Sequence, residues 1–314
     1  MGSVSGRREN GFITVRKDVR FAGNTDIGPV IGKKIYIRDS GSAGYDGLTP
    51  ATAVPTLTAA VALASDWDTI QFLPCDTAVG PTVPYHFIYE ISAPVHITQR
   101  GLKIFGWNTS GHQWANPMIR CAANTTPAAL INVDADSVEI GYLSFYNGYA
   151  GSVAINLSYS SATYAPHVHD CYFKGADSGY VGITTGAASY DCVSAIIERC
   201  YFAQQAHSGI EWYAGAGAMI RDCDFIVPAG CNGIDLLQAA AGKLWSFIIG
   251  NRFIAQSNTT SYGVKFTATP SDGYLMITGN QFINFADQAH CLPDNDGLCG
   301  LNYYNATAMT VTKN

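Results

Sequence analysis

Two carboxylates sit in matching phrases, Gly209-Ile210-Glu211 and Gly233-Ile234-Asp235, and the phrase recurs as Gly182-Ile183-Thr184 and Gly263-Val264-Lys265. Asn156 takes the corresponding place one copy earlier, after Ile155. If these copies are stacked layers, the residue after each inward aliphatic points outward. Glu211 and Asp235 then stand one layer apart, near the carboxyl separation of about 5 Å used by retaining glycosidases. Like charges that close raise one pKa and leave an acid beside a base. The same column, Asn156, Thr184, Glu211, Asp235 and Lys265, presents the planar and bidentate groups that sugar hydroxyls need, and Tyr180 and Tyr213 are placed to stack on sugar faces. The plainer alternative is a solvated acid pair with Lys265 neutralising Asp235, since a chain with 24 acidic residues meets such a pair by chance. Glu211 and Asp235 are therefore catalytic candidates only, and binding is the preferred reading.

A column of this kind requires a chain that repeats, and a second phrase supplies the repeat. A β-branched residue, two mostly polar positions, Cys or Asn, a spacer and Phe recur as Val168-His169-Asp170-Cys171-Tyr172-Phe173, Ile197-Glu198-Arg199-Cys200-Tyr201-Phe202 and Ile220-Arg221-Asp222-Cys223-Asp224-Phe225. The next copies are Ile248-Ile249-Gly250-Asn251-Arg252-Phe253 and Ile277-Thr278-Gly279-Asn280-Gln281-Phe282, and a degenerate earlier one ends Leu143-Ser144-Phe145. Successive Phe positions lie 28, 29, 23, 28 and 29 residues apart. Two beats per period, each flanked by alternating apolar residues, describe coils of short strands stacked as a solenoid. With 32 Gly, 18 Tyr and only 13% charged residues, the fold expected is all-β, about nine or ten coils spaced by roughly 4.8 Å.

Further columns follow from the same register. Asp170, Arg199 and Asp222 alternate in charge, and beside them His169, Glu198 and Arg221 form a second ladder, both expected to stabilise stacking by a few tenths of a kcal/mol per pair. The Cys/Asn position matches a tight turn, where Asn suits a left-handed backbone. An apolar column runs through His167, Ile196, Met219, Phe247 and Met276, with Trp245 and Tyr274 two residues further back from the last two. Such a stripe is expected to meet another copy of the chain or a covering loop. His167, His169 and Cys171 alternate as metal ligands do, but the turn breaks the alternation before Cys171. Two ligands without a third predict no metal, and no cofactor is expected.

The net charge of −6, with no basic cluster beyond Arg7-Arg8 and Lys33-Lys34, argues against nucleic acid. No stretch approaches eighteen apolar residues and the N-terminus lacks an apolar signal core, so neither membrane insertion nor export by the general secretory route is expected. The cysteines number nine, and three share one repeat position, which suits small buried residues in a compartment where thiols stay reduced. Residues 1–32 are polar and aperiodic, the profile of an attachment arm held by a partner. Residues 33–67 hold a strand at Lys34–Arg38 and a helix near Pro55–Ala64 with Leu57, Val61 and Ala64 at helical spacing, a cap for the first coil. Residues 68–290 carry the coils, and 291–314 close the far end.

The run Asp46-Gly47-Leu48-Thr49-Pro50-Ala51-Thr52-Ala53-Val54-Pro55-Thr56-Leu57, followed by an Ala-rich helix, Asp68-Thr69-Ile70 and Leu73-Pro74, resembles the opening of pectin-lyase-like right-handed parallel β-helices. The form is that of bacteriophage tailspikes and head or tail fibres, including the head spikes of gene transfer agents, and the Ile-x-x-Asn-x-Phe coils are similar too. The resemblance covers roughly residues 34–290 and speaks for fold far more than for activity. It implies a virion fibre or spike on the surface of a phage-like particle, attached to other particle proteins through residues 1–32 and binding cell-surface polysaccharide. Homotrimers would follow from family habit alone. A polysaccharide hydrolase or lyase on the same fold, and a non-binding structural decoration, are the alternatives. Lyase chemistry of the pectate type would need clustered acidic Ca²⁺ ligands and a basic proton acceptor, and neither appears in the columns.

Overall fold

The computed structural model describes residues 8–9, 12–13, 32–74, 88–107, 116–122, 128–147, 151–175, 180–185, 190–213, 215–237, 246–257, 260–267, 275–287, 289–292, 298–305 and 307–308. The chain divides into two units, Met1–Val30 and Ile31–Asn314. In the first, Arg8–Glu9 pairs antiparallel with Phe12–Ile13; the rest of the expected arm, Gly32 apart, lies outside the described residues.

The second unit is a right-handed parallel β-solenoid whose coils contribute, among the described residues, to three long sheets and to a two-stranded one that pairs Thr163–Tyr164 with Cys192–Val193. The first sheet has ten strands, from Lys34–Ile37 through Glu139–Gly141, His167–His169, Ile196–Glu198 and Met219–Arg221 to Leu298–Cys299. The second, also of ten, runs from Ile88–Ile91 to Thr307–Ala308, and only its last pairing is antiparallel. The third has seven, Val95–Ile97, Ala129–Val133, Val153–Leu157, Val181–Thr185, Ser208–Trp212, Asn232–Leu236 and Tyr262–Phe266. The expected cap is a helix at Leu57–Leu63, with Thr56 Oγ1 accepting the Ala59 N–H at 3.1 Å. It buries Leu57, Ala60 and Val61, while Ala64, expected on the same face, is the residue that ends it. No helix among the described residues is long and apolar enough to cross a membrane.

The repeat phrase makes the core. Phe145, Phe173, Phe202, Phe225, Phe253 and Phe282 form one buried file, with successive rings nearly parallel and centroids 4.7 to 5.1 Å apart. Each ring removes apolar area worth about 1.5–3 kcal/mol from water, and the rung spacing of about 4.8 Å sets the offset stacking. The Gly-Ile beat belongs to the same packing. A Cβ on Gly182, Gly209, Gly233 or Gly263 would lie 2.4–2.8 Å from the ring of Phe202, Phe225, Phe253 or Phe282 respectively, so the file is this close to the third sheet only because these positions lack a side chain.

At the turn between the first two sheets the expectation needs correction. The left-handed residue is the one before the Cys/Asn position: Tyr142, Asp170, Arg199, Asp222, Gly250 and Gly279 have φ from 50° to 69°. The Cys/Asn side chains themselves are buried and satisfy the backbone of the coil before. Asn251 Oδ1 accepts from Cys223 N at 3.0 Å, Asn280 Oδ1 from Asn251 N at 2.9 Å and Asn302 Oδ1 from Asn280 N at 3.0 Å. Cys223 Sγ takes the same place for Cys200 N at 3.4 Å. The seven cysteines whose side chains are described are buried free thiols, as expected of small core residues.

Candidate functional site

Third-sheet strands place their central aliphatic in the core and turn the next residue outward. Register then aligns Asn156, Thr184, Glu211, Asp235 and Lys265 on successive coils, and extends the column below Asn156 to Asn132 and His96. Those two escaped detection because their coils lack the Gly-Ile beat; the pairs Val95-His96 and Ile131-Asn132 carry only the aliphatic-then-polar half of it.

The column faces outward in the pleat yet is covered. Glu211 is 7% exposed and Asp235 2%, so the pair is embedded and not solvated as the plainer alternative had it. Every oxygen of the pair has a partner. Glu211 Oε1 lies 2.5 Å from His207 Nδ1 and its Oε2 accepts from the Tyr213 hydroxyl at 3.4 Å. Asp235 Oδ2 accepts from Asn232 Nδ2 at 2.8 Å and Oδ1 from the Thr267 hydroxyl at 2.7 Å. Burial raises the Glu211 carboxyl above the usual range; the His207 charge opposes this and the Asp235 charge adds to it. Burial likewise raises the Tyr213 phenol, with Glu211 adding to it.

Nor does Lys265 neutralise Asp235, as that alternative required: its ammonium stands 5.7 Å from the centre of the Tyr262 ring, and Tyr262 stacks on His290 with centroids 4.9 Å apart. At the other end, exposed Tyr159 meets His96 edge-on at 5.3 Å. These rings, with half-buried Tyr213, are the aromatic surface of the column. Tyr180 is not part of it: the side chain is fully buried, and burial pushes its phenol up, so the expected sugar stacking by Tyr180 is ruled out. On the adjacent rungs Asn132 and Asn156, the amide oxygens are buried and meet no donor among the described residues. His207, Asn232, Thr267 and Tyr262 were not legible beforehand, since none lies at the repeat position they serve.

The apolar column of the first sheet is aligned as expected through His167, Ile196, Met219, Phe247 and Met276. Phe247 and Met276 are each 36% exposed, and Ile196 and Met219 are partly buried; Trp245 and Tyr274 lie outside the described residues. Below His167 the column turns polar, continuing as Glu139, Lys103, Thr69 and Lys34. The charge ladders also form. Arg199 holds Asp170 through Nε and Nη2 at 3.0 and 2.9 Å, and Arg221 Nε donates to Glu198 at 2.7 Å. His167 and His169 were expected to lack a third metal ligand; Glu139, one coil below, is brought beside them.

No protein-family model matches the sequence, and no curated protein matches it. Solved structures do. Escherichia coli YbhC aligns with a TM-score of 0.56 at 11% identity, over 93% of this chain and 89% of its own. A pectin methylesterase in complex with a hexasaccharide aligns at 0.53 and 14% identity, over 89% and 91%. A rhamnogalacturonan lyase aligns at 0.52 and 12% identity, over 88% and 75%. At such identities the likeness is one of fold, and the fold shared with these proteins is the right-handed parallel β-helix.

Proposed function

We propose that this protein binds a polysaccharide along the outer column of its third sheet, as a fibre or spike on the surface of a phage-like particle. The observation that carries the reading is the column itself: polar residues on seven consecutive coils, flanked by the rings of Tyr159, Tyr213 and Tyr262. Its rungs are about 4.8 Å apart, and sugar hydroxyls suit the His96, Asn156 and Lys265 side chains that it leaves exposed or half-buried. Neighbours of the same fold include proteins named for pectin and rhamnogalacturonan, which favours a polysaccharide ligand at the level of fold. The particle location, attachment of residues 1–32 to other particle proteins and assembly as a homotrimer rest on the resemblance of residues 46–74 to phage spike openings.

Binding without cleavage is favoured because all four oxygens of Glu211 and Asp235 already hold donors from the chain, leaving neither carboxylate free to meet a glycosidic oxygen. The raised Glu211 carboxyl supports a second reading, a depolymerase with Glu211 as acid. Incubation with capsular polysaccharide and lipopolysaccharide separates the two. Retention without new reducing ends or unsaturated sugars, weakened by Tyr213→Ala and Lys265→Ala, supports the binding fibre. Cleavage lost in Glu211→Gln supports the enzyme, and neither retention nor cleavage means a structural decoration.

A further inference from the structure

We propose that Glu139, His167 and His169 form a binding site for a divalent transition-metal ion of the Zn²⁺ class on the outer face of the first sheet. Strands Glu139–Gly141 and His167–His169 are parallel neighbours, with Glu139 opposite His167 and Gly141 opposite His169. Ile140 and Val168 fill the core, so the three polar side chains share the outer face. One ligand atom from each lies within 4.8 Å of the others. Gly141 makes room for the convergence: a Cβ there would stand 2.5 Å from His169 Cε1 and 2.7 Å from Nε2. The His169 ring therefore leans back across the rung below, bringing Nε2 to 3.2 Å from Glu139 Oε1.

The outer partners are those of metal-binding histidines, in which a carboxylate fixes one ring nitrogen and leaves the other for the ion. His169 Nδ1 is held by Asp170 Oδ2 at 2.8 Å, with Nε2 turned to Glu139. His167 Nε2 is held by Glu198 Oε1 at 3.2 Å, with Nδ1 3.9 Å from Glu139 Oε1. Asp170 and Glu198 are fixed in turn by one guanidinium, that of Arg199. Ions of this class sit about 2.0–2.2 Å from nitrogen and oxygen ligands, which puts ligand atoms about 3–3.5 Å apart. The His169–Glu139 pair already meets that; His167 Nδ1 stands 3.9 Å from Glu139 Oε1 and the three ligand atoms spread over as much as 4.8 Å, so the His167 ring must swing in by roughly 1 Å to complete the set. Lys103 Nζ, 2.7 Å from Glu139 Oε2, occupies the other carboxylate oxygen and leaves Oε1 to the ion. Glu139 and His167 side chains are 24% and 29% exposed, so a fourth position opens to solvent. Two imidazoles select zinc, nickel or copper over magnesium or calcium.

The test is calorimetric titration of the full chain with ZnCl₂, with MgCl₂ as comparison, and Co²⁺ absorption to identify the ligands. The expected result is one zinc per chain, no magnesium binding, and a cobalt spectrum without thiolate charge-transfer bands. His167→Ala and Glu139→Gln should each weaken zinc at least tenfold, and Asp170→Asn by about 10–100-fold. Because His169 is buried and its replacement endangers the fold, zinc-edge anomalous scattering from wild-type crystals gives an independent reading. Absence of zinc binding, thiolate bands, affinity unchanged in His167→Ala and Glu139→Gln, or an anomalous peak elsewhere would each overturn the proposal.

Discussion

Replacing Asn280 by alanine isolates the buried amide ladder. Asn280 is fully buried; its Nδ2 donates to Ile248 O, Thr278 O and Asn302 Oδ1 at 2.9, 3.2 and 3.0 Å, and its Oδ1 accepts from Asn251 N and Nδ2 at 2.9 and 3.0 Å. After truncation Asn251 Nδ2 keeps Ile220 O, and Asn302 Oδ1 keeps the backbone N–H of residue 280. The Asn251 N–H is left buried with no acceptor, at about 1–3 kcal/mol, and the lost bonds to carbonyls add about 1 kcal/mol. With a small cavity term the total comes to about 2–5 kcal/mol. Asn280→Cys should lose about half of that, because Cys223 at the equivalent position takes a backbone N–H on its sulfur. Urea unfolding followed by tryptophan fluorescence reads this as a shift in midpoint at constant slope. A loss below about 1 kcal/mol for alanine, or an equal loss for cysteine, would refute the ladder argument.

Phe225→Ala, in the middle of the aromatic file, should cost about 3–5 kcal/mol in the same unfolding assay. Arg199→Ala should cost only about 0.5–1 kcal/mol, because the guanidinium is half exposed, and the cost should shrink when unfolding is repeated in high salt. The raised Glu211 carboxyl means that the folded state holds a proton longer than the unfolded one does. Wild-type stability should therefore fall, relative to Glu211→Gln, as pH rises above the unfolded value of about 4.3 and through the folded pKa. A stability difference that stays flat across that range, measured at several pH values, would show that Glu211 is not perturbed.

Much of the fold was legible because a solenoid writes its register into spacing. The Phe file needed only the recurrence of one residue every 23 to 29 positions, since parallel stacking turns equal phase into contact. Column membership at Thr184, Glu211 and Asp235 followed for the same reason. What spacing did not carry was depth. Tyr180 falls beside the column in sequence yet points into the core, and Glu211 and Asp235 face outward yet are roofed by side chains from off-phase positions, His207, Tyr213 and Thr267. The turn was misassigned by one residue because Asn serves equally as a left-handed residue and as a buried amide donor and acceptor; only the φ values separate the two roles.

The residue order alone therefore determined which positions stack, since a strand's alternation and a fixed coil length are local properties of the chain. The tertiary structure decided which stacked groups meet. Glu139 lies 28 residues from His167 and joins it and His169 only because Gly141 lets a ring lean across the rung. Proximity of that kind depends on side-chain volume and rotamer between coils, where no repeat in the sequence records it.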